Sequence, residues 1–460
     1  LKDLTVGKES SLIIRFAVPM LLGGVVQQFY NIADTMIVGK FIANPEDATR
    51  ALSAVGASFP VFYTLISLVI GLASGAAVVI SQYYGAKDME KVRKSVDTLF
   101  ITIAISSLII TAVGLLLVDE MFALMQLPTE IIPEATTYLT ILIFGLFAGL
   151  GYNGISSVLR SLGDSVTPLY FLIVSTIVNI GLDLLFVWGF QWGVAGAAYA
   201  TVIAQLVSFV MGLVYINRKH SFLNINLLKL DFDKEIFKKS VKIGLPTGLQ
   251  QMFVSMGMFA LFGIVNKFGT NVIAAYSVAG RIDALAIIPA MNFSQALSTF
   301  TGQNIGAGRI DRIRKGLTST MLMSGIFSVV ISIFVVIFGA QLMSMFTSDG
   351  EVIRIGAEYL QIVGSFYILF TIMFAYTGVF RGAGDTMVTM LISLFSLWLF
   401  RIPFSVYFSA IYAEIGIWVS IPFAWAVGMI FSGVYYYFGR WKKKSVVATP
   451  PDLDGMEIEN

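Results

Sequence analysis

The 460-residue sequence contains no cysteine and a single histidine, His220. Without cysteine there are no disulfides, thiolate metal sites or thiol nucleophiles. One histidine in a polar connector leaves no His-based catalysis and no multi-His metal centre. No GxxxxGKS or GxxxxGKT phosphate loop occurs, so the chain has no built-in ATP-driven motor. Neither an enzymatic activity, a cofactor nor a nucleic-acid partner is expected. Charge is scarce too: 13% of residues are Asp, Glu, Lys or Arg, with a net charge of +2.

What fills the chain is apolar. Hydrophobic residues make up 57%, and the mean hydropathy is +0.83. A soluble protein of this size cannot bury so much apolar surface, so the expected class is an all-α polytopic membrane protein. Runs of about 20 apolar residues recur, each able to cross ~30 Å of hydrocarbon as a helix. The first run is too long for a cleavable signal and continues into the fold. The pattern predicts twelve transmembrane helices, at roughly 13–40, 52–82, 96–118, 131–159, 166–189, 194–216, 236–267, 272–303, 314–342, 352–380, 387–411 and 415–439.

Charge sets their direction. With residues in the first two turns of a span assigned to the preceding connector, the N-terminal end, the even-numbered connectors and the tail carry 24 of the 30 Lys and Arg. The odd-numbered connectors carry only Lys40, Arg50, Lys267 and Arg354, while Arg281 and Arg401 lie within spans. The positive-inside rule then places both termini in the cytoplasm, as for a bacterial-type inner-membrane protein. The connector 217–242 is basic and amphipathic near its end, and is expected to lie along the cytoplasmic interface.

The chain is doubled. "QYYGAKDMEKVRKS" (82–95) aligns without a gap with "QNIGAGRIDRIRKG" (303–316), and the same offset of 221 aligns "VLRSLGDS" (158–165) with "VFRGAGDT" (379–386). Pro19 and Lys40 align with Pro246 and Lys267 at an offset of 227. The expected organisation is two six-helix lobes related by a parallel repeat: an N-terminal lobe at 1–216, a cytoplasmic linker at 217–235, a C-terminal lobe at 236–445 and a disordered tail at 446–460. Parallel repeats imply a cavity between lobes and alternating access. In the paired R-x-x-G-D-S/T turns, Gly163 and Gly384 suit a tight turn, and Asp164 and Asp385 are placed to cap the next helix. Arg160 or Arg381 could instead help close the cytoplasmic side.

Intramembrane polar residues mark the candidate site. Gln27, Tyr30 and Asp34 share one face of span 1, and Asn179 and Asp183 share one face of span 5. Asp34 lies six residues from Lys40, and Asp183 six from Gly189, so both carboxyls sit ~9 Å below the outer boundary. Asn153 on span 4 adds an amide deeper toward the cytoplasm. Two acids at one depth must face each other, a cavity or a cation. Close together, they cannot both ionise comfortably, and one then holds a proton. Alternatively Asp34, Asp183, Asn179 and Asn153 form an oxygen cage for Na⁺. In the second half, Asp283 is expected either to pair with Arg401 or Arg281, or to contact substrate. Met256 and Met291 could line an adaptable drug-binding wall. Pro19 and Pro246 are expected to kink spans 1 and 7.

These features together resemble the multidrug and toxic compound extrusion (MATE) family. The resemblance runs from "FAVPMLLGGVVQQFYNIADTMIVG" through both basic connectors and both R-x-x-G-D turns, and "PAMNFSQALSTFTGQNIGAG" (289–308) is similar to the DinF-like branch. It implies a proton- or cation-coupled exporter of amphipathic, often cationic organic molecules, with the acid-and-amide cluster of Asp34, Asn179 and Asp183 as its N-lobe site. Members of the NorM type carry further acids in spans 7 and 10. Here the repeat mate of Asp34 is Leu261 and span 10 holds only Glu358 near its outer end, which favours coupling in the first lobe, and protons over sodium. The competing reading is a flippase for lipid-linked saccharides. With the two-lobed plan complete in one chain, a monomer in the lipid bilayer is sufficient.

Overall fold

The computed structural model describes residues 2–42, 44–125 and 127–447, so most of the tail lies outside the described residues. Among these, every regular element is helical. The first half comprises α1 (Glu9–Phe41), α2 (Pro45–Gly85), α3 (Met89–Leu124), α4 (Ile132–Phe144), α5 (Leu146–Ser161), α6 (Val166–Asp183) and α7 (Gly193–Lys219). The second comprises α8 (Lys234–Val265), α9 (Thr270–Gly306), α10 (Ile310–Ser344), α11 (Gly350–Gly364), α12 (Tyr367–Ala383), α13 (Thr386–Leu394), α14 (Ile402–Tyr412) and α15 (Glu414–Phe438). π-Helical turns over Leu184–Gly189 and Phe395–Arg401 extend α6 and join α13 to α14.

Ten helices are long and apolar enough to span a membrane, and two bent pairs raise the number to twelve among the described residues. The predicted spans at 131–159 and 352–380 are therefore broken, with bends of 51° between α4 and α5 and 48° between α11 and α12. Hydropathy is continuous across both breaks, which hides them. The bend is itself repeated: Gly145, which separates α4 from α5, and Phe366, which precedes α12, are 366 − 145 = 221 residues apart. The start of α2 is also earlier than predicted. Pro45 opens that helix and Glu46 and Asp47 occupy its first turn, where acids favour the helix dipole.

The helices sort into two compact units. Among the described residues, unit 1 takes in 22–84 and 88–248, and unit 2 takes in 3–21, 85–87 and 249–447. Apart from the short stretch 85–87, the division follows the repeat halves except at two helix starts. α1 belongs to unit 2 through Leu21, and α8 belongs to unit 1 through Gly248. Both switches fall two residues after the repeated prolines, Pro19 and Pro246. In unit 1, α7 packs on α4, α5 and α6, with Ile37, Tyr138, Val187 and Ala197 in the shared core. In unit 2, α9 packs on α10, α11 and α12.

Of the paired turns, both glycines adopt the left-handed conformation expected, Gly163 at φ +85° and Gly384 at φ +87°. The aspartates differ. Asp164 accepts from the amides of Val166 and Thr167 and caps α6, at 3.1 and 3.0 Å. Asp385 makes no side-chain cap and instead accepts from the Tyr435 hydroxyl.

Within unit 2 the segment before α1 is latched in place. The Leu4 amide donates to Gln303 Oε1 at 3.0 Å, and Asn304 Nδ2 donates to the Leu4 carbonyl at 3.2 Å. Arg309 and Arg312 donate to the carbonyls of Thr5 and Gly7 at 3.0 and 2.6 Å, and Arg312 also pairs with Glu9 at 3.6 Å. Leu4 packs with Phe300, Phe380 and Trp441. Arg312 is buried, so removing its guanidinium strands Glu9 and the Gly7 carbonyl. Arg312→Ala is expected to cost about 3 kcal/mol and to raise amide hydrogen exchange across residues 3–9. Unchanged protection there would show that the latch contributes nothing.

Candidate functional site

The acid pair of unit 1 forms where α1 meets α6. Asp34 and Asp183 are both buried, at 8% and 0% exposure, and Asn179 is fully buried one turn before Asp183. The two carboxyl groups lie close enough to interact directly with each other. No Lys or Arg pairs with either among the described residues. Asp34 Oδ1, both oxygens of Asp183 and both amide atoms of Asn179 are buried without a protein hydrogen-bond partner. Groups buried like this are costly unless something satisfies them. A shared proton would satisfy facing carboxyls, and a small hard cation would suit the same set of oxygens. No cluster of three or more His, Cys, Asp or Glu suited to a metal occurs among the described residues.

The local chain favours a labile site. Immediately after Asp183 the helix widens into the π turn Leu184–Gly189, where the Phe190 amide reaches back to the Leu185 carbonyl. Such turns shift the hydrogen-bond register and recur at functional positions. Phe186 stacks on Trp192 at 5.0 Å beyond it.

Two neighbours, Thr201 and Tyr138, were not singled out from sequence. Tyr30 donates its hydroxyl to Thr201 Oγ1 on α7 at 3.2 Å, and Tyr138 on α4 is buried in the core that holds Ile37 and Val38 beside Asp34. Both Tyr30 and Tyr138 lie close enough to Asp34 and Asp183 to interact electrostatically with them. The cluster is thus built from α1, α4, α6 and α7. Asn153 on α5 is exposed and donates to the Gly149 carbonyl of its own helix at 2.9 Å. Gln27 is also exposed.

In unit 2, Asp283 sits on α9 and accepts from the hydroxyls of Tyr359 at 2.6 Å and of Tyr367. The expected ion pair to Arg281 or Arg401 is absent within 4 Å among the described residues. Arg281 is exposed, and Arg401 approaches Met258 Sδ at 3.9 Å. Two phenols therefore take the place of the cation, because they reach the half-buried carboxylate without bringing in a second charge. Tyr359 and Tyr276 pack on Trp418, and Phe370 on Trp425. Met256 and Met291 are exposed at 48% and 45%.

Comparison with known proteins follows the same lines. The MatE family matches residues 19–185 and 246–407, one block in each half of the repeat. The chain is 31% identical over 440 residues to the probable multidrug resistance protein YpnP of Bacillus subtilis, covering 96% of this chain and 97% of that one. It is 32% identical over 441 residues to the probable multidrug resistance protein YoeA of the same organism, covering 94% of each. A solved multidrug resistance MATE family transporter of the MOP superfamily, in an outward-facing conformation, matches with a TM-score of 0.88 at 26% identity, covering 96% of this chain and 99% of that one. A doubled, all-helical membrane chain with an acid pair in one unit, matched by this family along both halves, is a member of the MATE family of membrane transporters.

Proposed function

We propose that the protein is a multidrug exporter that couples the efflux of amphipathic, often cationic organic molecules to proton entry through Asp34 and Asp183. One observation carries this reading: two buried carboxyls face each other with orphaned oxygens and no cationic side chain to neutralise them. Such a pair holds a proton at one pH and releases it at another, and its charge differs between the two states. Deprotonated, it attracts a cationic substrate. Protonated, it loses that attraction and lets α1 and α6 pack closer. The multidrug names of YpnP and YoeA support the substrate class. Alternating access, with both termini cytoplasmic, completes the cycle.

A sodium-coupled reading has its own support, since Asn179 Oδ1 is also unpartnered beside the two acids. Imposed gradients separate the two. In proteoliposomes, efflux of a cationic dye is expected to follow an inward proton gradient and to ignore a sodium gradient at fixed pH. Efflux driven by sodium alone would overturn proton coupling. Scrambling of a pyrophosphoryl lipid faster than any dye would favour the flippase reading instead.

A further inference from the structure

The connector from α7 to α8 carries a feature that the transport cycle does not use. His220 ends α7, and the chain then folds back on itself. Asn217 and Ile225 bond reciprocally, side chain to backbone, with both distances at 2.8 Å. Leu223 and Ile225 are buried as pegs on either side of Asn224, which adopts a positive φ of 38°. The Asn226 side chain then accepts from the Leu228 amide at 3.1 Å, and its carbonyl accepts from the Lys229 amide at 2.9 Å. This is an Asx turn, a rigid device. What it presents is unexpected: Leu228 at its tip is 94% exposed and Leu227 beside it 39%.

A pinned turn that displays leucine needs an apolar partner to be worth its order. The tether limits what that partner is. The chain leaves one membrane-spanning helix at Lys219 and enters the next at Lys234, so the turn stays beside the bilayer surface. Arg218, Lys219 and Lys229 are exposed around it, and Phe222 and Phe232 add exposed apolar area. Of the nearby acids, Asp233 is committed to capping α8, accepting from Glu235 and Ile236 amides at 2.9 and 3.0 Å, and the exposed Asp231 and Glu235 are outnumbered by the exposed Arg218, Lys219, Lys229, Lys234 and Lys238. Apolar tips with basic flanks are the pattern of an interfacial anchor on an anionic leaflet.

We propose that the Asn226–Lys229 turn is a membrane anchor, with Leu227 and Leu228 seated in the acyl boundary and Arg218, Lys219 and Lys229 on lipid phosphates. The proposal rests on the membrane placement of α7 and α8 and is independent of the coupling ion. Because the chain has no cysteine, a nitroxide on Leu228→Cys reports this position alone, with Ser221→Cys as the exposed reference. In vesicles containing phosphatidylglycerol, the label at 228 is expected to collide with oxygen severalfold more than with a water-soluble nickel chelate. The label at 221 should show the reverse. In vesicles of phosphatidylcholine alone, or with Lys219 and Lys229 both changed to Gln, the preference at 228 should fall toward that at 221. Asn217→Ala, which unpins the turn without touching its tip, should act in the same direction. If the chelate reaches 228 as readily as 221 in phosphatidylglycerol vesicles, the anchor does not exist and the leucines await a soluble partner. If oxygen preference at 228 is equal in both lipids, insertion is purely apolar and the phosphate contacts are wrong.

Discussion

Replacing Asp34 by Asn is expected to leave the protein folded and inserted while lowering proton-driven efflux by roughly 100-fold. The change is isosteric and keeps a polar group opposite Asp183, so the packing of α1 on α6 survives. What disappears is the facing pair of carboxyls that can share one proton. A gradient shifts a conformational equilibrium only through a ligand that binds the two states differently. With one carboxyl gone, the remaining acid no longer faces a like charge, and the differential is lost. Downhill exchange is the control, because it draws on no proton gradient and should persist. Asp183→Asn should behave alike. Gradient-driven efflux in Asp34→Asn at the wild-type rate would sink the coupling role, whichever ion is tested.

A second large effect is expected inside unit 1, where two helices cross. Gly71 and Gly75 of α2 meet Gly244 and Gly248 of α8 with backbone against backbone. A Cβ on Gly75 would stand 2.3 Å from the Ser240 carbonyl oxygen and 2.5 Å from the Gly244 nitrogen. One on Gly71 would stand 2.4 Å from the Gly248 nitrogen. Small residues let helices in lipid approach this closely. Since the obstructing atoms are backbone, no rotamer change relieves the clash and the helices must separate. Gly75→Ala is expected to cost about 3 kcal/mol, read as a lowered melting temperature in detergent. Gly56→Ala in the same helix meets nothing within 4 Å and should be neutral or gain up to about 1 kcal/mol from helix propensity. Equal melting temperatures for the two variants would refute the crossing.

The same contrast explains what the sequence made legible. Asp34, Asn179 and Asp183 stood out because charge in an apolar run is rare and helical spacing puts i and i+4 on one face. The depth argument then paired two distant helices. Thr201 and Tyr138 gave no such signal, since a hydroxyl within an apolar helix is ordinary until its neighbours are known. Tyr359 and Tyr367 were hidden for the same reason among 18 tyrosines, and charge-counting alone pointed Asp283 to arginine. The breaks at Gly145 and Phe366 left hydropathy untouched. The glycine crossing shows in the sequence only as the small-residue spacing of "GLASG" (71–75), which permits close approach without naming a partner in α8.

The handover of α1 and α8 between units has a consequence for biosynthesis. The chain emerges N-terminus first, and residues 3–21 belong to the unit whose bulk, from residue 249 on, is made after unit 1. Unit 1 in turn lacks its final piece until Gly248 has been synthesised. Neither unit is assembled from one uninterrupted stretch, so the first half of the nascent protein waits in the membrane with one helix segment unmatched. Insertion of α8, rather than completion of α7, is the event that lets unit 1 close.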